Sequence, residues 1–165
     1  NALEKLFLKT YPRNIDIKDV LIKVCSLNDF YSTHILSPFT IAKHIISLGI
    51  DKDLLRNDLR IVNRVAKVKM SDGLIRNFYS FATKYCSHHK PKIYPIYDYY
   101  VEKILVYFRN KDGFHKFKKQ DFKSYLLYRN ILINFRKYYN LGQFNLKQID
   151  KYLWQVGKKY FPRKY

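Results

Sequence analysis

DIKDVLIKVCSLN, residues 16–28, is the stretch that decides the fold. Val20, Leu21, Val24 and Leu27 recur at the 3.6-residue spacing of a single helix face, with no two-residue alternation to compete with it. Upstream, residues 3–9 read as a short opening helix closed by Tyr11-Pro12. Downstream, Ser37-Pro38 offers an N-cap followed by proline at the first helical position, and Ile41, Ile45 and Ile46 continue the core face until Gly49 closes it.

The same reading carries to the end of the chain. Residues 51–56 form one turn, and Asp58 opens a helix with Leu59, Val62, Val65 and Ala66 inward. Ser71-Asp72-Gly73 marks a turn, after which Leu74, Ile75, Phe78, Phe81 and Ala82 are expected to form the next buried face, up to about Cys86. Pro91 and Pro95 make 88–95 irregular, because each removes a backbone donor. Helices follow over about 96–108, 120–139 and from Asn145, the last with Leu146, Ile149, Leu153, Trp154 and Val156 as its apolar positions. The expected fold is all-α, a compact domain of about seven to nine helices. It is one domain over 1–165, with room for two lobes at about 16–110 and 114–165.

Charge narrows the function. The 165 residues hold 32 Lys and Arg against 13 Asp and Glu, a net charge of +19. Such an excess repels itself in the folded state and normally answers a polyanion. Nucleic acid is the commonest, since each neutralised phosphate releases a counterion. An AT-rich coding bias would also raise lysine, but it would raise glutamate with it, and glutamate occurs only at Glu4 and Glu102. The rings that make up 18% of the chain can stack on bases that leave a duplex, although most must serve as core.

Two cysteines, Cys25 and Cys86, exclude a four-thiolate iron–sulfur cluster. Cys86, His88 and His89 find no further cluster to complete a tetrahedral set, so no metal and no cofactor is expected. No apolar run approaches the ~20 residues that span a bilayer, and no signal peptide is visible. The expectation is a cytoplasmic, nucleoid-associated protein that binds nucleic acid, DNA more readily than RNA, and no membrane.

Chemistry concentrates in Ser80-Phe81-Ala82-Thr83-Lys84-Tyr85-Cys86, then Tyr94-Pro95-Ile96-Tyr97-Asp98, with Val24-Cys25-Ser26-Leu27-Asn28 upstream. Over roughly 20–105 the chain resembles the helix-hairpin-helix DNA glycosylases, especially the bifunctional 8-oxoguanine branch. The resemblance implies Lys84 as the amine that displaces a flipped damaged base and forms a Schiff base with the sugar. It implies Asp98 as the carboxylate that stabilises developing cationic character, and Asn28 as the contact to the opposite base. Ser80 and Ala82 stand where the family's hairpin carries glycines, so the hairpin is degenerate.

Plainer roles stand beside these. Lys84 could contact a phosphate, and Asp98 could face the positive end of a helix dipole. Tyr97, with Tyr94, Tyr99 and Tyr100, could line a base pocket or pack inside. His88, His89 and Lys90 suit phosphate or base contacts. Arg136, Lys137, Lys158 and Lys159, set among rings and continued by the tail to Lys164, suit a groove that tracks a backbone. The alternatives to a base-excision glycosylase/lyase are a catalytically silent DNA- or RNA-binding module and a subunit of a nucleoprotein assembly, of the kind used in defence or by mobile elements.

Overall fold

A computed structural model describes residues 2–162 of the chain. The expectations placed on Arg163, Lys164 and Tyr165 lie outside the described residues. The chain divides into two compact units, Asn1–Pro91 and Lys92–Tyr165. The division falls at Pro91, not in the loop near Gly113. Among the described residues it is helical apart from one small hairpin, and no helix is long and apolar enough to cross a membrane.

Unit 1 opens with α1 (Ala2–Lys5), which runs into a π-helical turn (Leu6–Thr10) closed by Tyr11 N–H donating to the Leu6 carbonyl at 2.9 Å. α2 (Ile17–Tyr31) starts where the Asp16 carboxylate accepts from the amides of Lys18 and Asp19. α3 (Pro38–Leu48) has proline in its first turn and ends at Gly49, whose φ of 59° is the left-handed cap that glycine adopts without strain. α4 (Asp51–Leu55) and α5 (Ile61–Ala66) follow. The unit is built around α6 (Tyr79–His89), in which every residue from Phe81 to Ser87 is buried.

One expectation is corrected between α5 and α6. Leu74 and Ile75 are 62% and 71% exposed, and no helix begins there. Instead β1 (Lys67–Lys69) pairs antiparallel with β2 (Ile75–Asn77). The cause is local. Gly73 at φ 79° donates to the Met70 carbonyl, Asp72 accepts from the Leu74 amide, and the chain reverses on itself. Val68 and Met70 then turn inward at two-residue spacing, and the helix starts only at Tyr79.

Unit 2 contains α7 (Tyr99–Asp112), a 3₁₀ turn (Lys119–Lys123), α8 (Tyr125–Tyr138) and α9 (Leu146–Tyr160). α7 packs chiefly on α9, which is why it belongs with the C-terminal helices. The crossing needs Gly157, since a Cβ there would lie within 2.9 Å of the Tyr100 carbonyl carbon. Side chains of α8 hold the proline-containing entry. Tyr125 Oη donates to the Pro95 carbonyl at 2.8 Å and Tyr128 Oη to the Ile96 carbonyl at 2.5 Å. The two rings are fully buried, so their hydroxyls must find acceptors inside. On α9, Leu146, Ile149 and Leu153 are buried as the periodicity requires, but Trp154 is exposed, with the Lys158 ammonium 5.1 Å from its ring centroid.

Candidate functional site

α6 carries two polar stripes. Ser80, Lys84 and His88 are spaced by four and share one face. Lys84 is only 4% exposed, and its Nζ donates to Ser80 Oγ at 2.5 Å while lying 5.3 Å from the centroid of the Tyr31 ring. Tyr31 Oη in turn meets His88 Nε2 at 3.0 Å. The result is a sheltered amine beside a hydroxyl, a phenol and an imidazole. The hairpin that the resemblance implies is absent here. Ser80 through Lys84 lie inside α6, and the Ala82 amide donates to the Phe78 carbonyl at 2.9 Å, so it cannot turn to a phosphate. Ala82 itself is fully buried, which corrects its placement among nucleic-acid contacts.

The second stripe is Tyr85 and His89, and it faces a cluster that includes Asn14, Lys23 and Asp51. Lys23 is fully buried, and its three ammonium protons go to the carbonyls of Tyr11 and Arg13 and to Asn14 Oδ1, at 3.0, 2.9 and 2.7 Å. Asn14 Oδ1 also accepts from Tyr85 Oη at 2.6 Å and lies 3.2 Å from His89 Nε2. The Asn14 backbone and side-chain amides both donate to Asp51. Burial pushes Lys23 down to about 8, against the pull of Asp51 and Asp19. Burial, with Lys23 and His88 adding to it, pushes His89 down to about 3. His89 is therefore neutral at pH 7. Of this cluster, Asn14, Asp51 and His89 line a cavity of about 520 Å³, with Phe7 and Leu54 in its wall and Arg13 and Lys90 also lining it.

Sequence reasoning passed over Asn14, Lys23 and Asp51, although one signal was readable. Lys23 falls in the apolar stripe of α2 with Val20, Val24 and Leu27, where a cation must be paired inside. Asn28 closes the loop after α2, accepting from Thr33 Oγ1 and the Ile35 amide, both at 2.9 Å, and donating to the Ile35 carbonyl. Lys90 Nζ donates to Asn57 Oδ1 at 2.8 Å and to the Leu55 carbonyl at 3.2 Å.

In unit 2, Asp98 is the N-cap of α7 and accepts from the Tyr100 amide at 2.9 Å. Lys84 and Asp98 thus belong to different units. Tyr97 donates to Glu102, and its phenol is pushed up by burial and by that carboxylate, so it stays protonated. Tyr94 is fully buried, while Tyr99 is exposed. Arg136 and Lys137 occupy the last turn of α8, and Lys158 and Lys159 the last turn of α9, where cations oppose the negative end of the dipole. Among the described residues, no group of three or more His, Cys, Asp or Glu side chains is placed to hold a metal.

A family model described as the HI_0787_N N-terminal domain matches residues 1–93, close to the boundary of unit 1. A relative from Haemophilus influenzae, described as an uncharacterized protein, is 43% identical over 148 residues, which cover 89% of this chain and 70% of the relative. No solved structure matches the chain. The chain belongs to the HI_0787_N family, whose N-terminal-domain model covers nearly all of unit 1.

Proposed function

We propose that the protein binds nucleic acid through its cationic surface. The observation that carries this reading is the division of labour between the charges. If every one of the 13 carboxylates neutralised one cation, 19 of the 32 would still be uncompensated. Several carboxylates are, moreover, engaged by groups of the fold itself. Asp16 and Asp98 cap helices, Asp51 holds Asn14, Asp112 accepts from Tyr139, Asp150 accepts from the Ile96 amide, and Asp53 pairs with Arg64. Fluorescence anisotropy with labelled single- and double-stranded DNA and RNA tests the reading. Binding should weaken steeply and log-linearly with added salt. Absence of binding to all of them at low salt would sink it.

A second reading, base excision with Lys84 as nucleophile, draws on the shelter of that amine beside Ser80, Tyr31 and His88. Borohydride reduction in the presence of an abasic-site duplex should then leave a covalent adduct that Lys84→Ala loses. No adduct from the wild-type protein on abasic, oxidised or alkylated duplexes would leave binding as the function.

A further inference from the structure

The positive charge is not spread evenly. Unit 1 holds 15 Lys and Arg against 8 Asp and Glu over residues 1–91, a surplus of 7. Unit 2 holds 17 against 5 over the shorter stretch 92–165, a surplus of 12. All five carboxylates of unit 2 serve its own fold. Asp98 caps α7, Glu102 accepts from Tyr97, Asp112 from Tyr139, Asp121 from the Lys118 amide, and Asp150 from the Ile96 amide. The more cationic unit is the one outside the family's N-terminal domain.

That unit also contains an open, aromatic-lined cavity of about 620 Å³ where α7, α8 and α9 meet. Phe108, Phe135 and Tyr139 are packed against one another in its wall, with ring centroids 4.6 to 5.5 Å apart. Phe144 and Tyr152, 41% and 53% exposed, line it towards solvent. Gln148 also lines it, its amide oxygen accepting from the Asn145 amide in the α9 capping box. Exposed rings over an aromatic wall, in a unit with a surplus of 12 cations, match the two chemical features of an unpaired polynucleotide, namely flat bases and a chain of phosphates. A base pair within a duplex offers no free face to such a cavity.

We propose that this cavity of unit 2 takes a base of single-stranded nucleic acid, stacked against Tyr152 and Phe144, while cations of the same unit hold its phosphates. The proposal rests on the nucleic-acid-binding reading and adds the single strand as the class of ligand. The test uses the whole chain and a fluorescein-labelled oligothymidylate of about 16 nucleotides, with a duplex and an abasic strand of equal length beside it. The abasic strand keeps the phosphates and lacks the bases, so it needs no altered protein. It should bind about 5- to 100-fold more weakly than the oligothymidylate. Tyr152→Ala and Phe144→Ala should weaken the oligothymidylate by a similar factor, leaving the duplex and the thermal melt unchanged. Equal affinity for the abasic and base-carrying strands would overturn the stacking site while leaving the broader reading intact. Failure of every strand to bind would overturn both.

Discussion

Lys23 holds unit 1 together at its N-terminal side. A buried ammonium is costly unless every proton has an acceptor, and here two backbone carbonyls and Asn14 Oδ1 accept all three. Lys23→Met keeps much of the volume but leaves those acceptors stranded, so stability should fall by about 3 kcal/mol in urea titration. His89 predicts the acid behaviour of the same cluster. Its folded value is about 3, so the unfolded chain takes up a proton first as the pH drops below about 6.5. Stability should therefore decline from pH 6.5 towards 3, by at most about 1.4 kcal/mol per pH unit. Asp150 in unit 2 has the opposite sign, because burial raises it to about 6 and the folded form protonates first. Its contribution is present below about pH 4 and lost as the pH rises through 6. Urea titrations at pH 4.5 and 7 check both, since His89→Gln should flatten the first dependence and Asp150→Asn the second. The helical stripe containing Lys23 was readable from spacing. Its partners were not, because Asn14 and Asp51 are 37 residues apart and meet only through the fold.

At the scale of elements, helix ends were legible wherever a side chain or glycine marks them. Ser37-Pro38, Gly49 and Asn145 were placed from the sequence and stand at those helix termini. The hairpin at 67–77 was not legible. Its strands are three residues each, too short for alternation to separate from a helical pattern, and its outward residues include apolar Leu74 and Ile75. Nor does periodicity reveal that α9 passes close to the Tyr100 backbone, which the single residue Gly157 permits. Gly157→Ala should cost about 1–3 kcal/mol or more in unit 2 despite its higher helix propensity, because the added methyl meets backbone and not a flexible side chain. Asp98 separates a capping role from a chemical one. Asn is as good an N-cap as Asp, so Asp98→Asn should leave the melting temperature nearly unchanged, while Asp98→Ala should cost about 1 kcal/mol. If trapped adduct forms at all, its loss in the Asn variant at unchanged stability would assign the carboxylate to chemistry.

Across the whole molecule, the sign of the charge was legible but its placement was not. A surplus of 19 can be counted from composition, whereas the bonds that carboxylates accept from amides and half-buried tyrosines become visible only in the fold, as with Ile96 and Asp150, 54 residues apart. Some of these carboxylates also pair with a lysine, as Glu102 does with Lys119 and Asp150 with Lys147, yet the cations still outnumber all the carboxylates by 19. The consequence can be measured through Lys158 and Lys159, both exposed in the last turn of α9. Two lysines that each neutralise one phosphate contribute about one each to the slope of log K against log salt. Lys158→Gln with Lys159→Gln should therefore reduce that slope by about two and weaken all sequences equally. A slope unchanged by the double substitution would place the phosphates elsewhere. A loss confined to particular sequences would mean that these side chains read bases and not backbone.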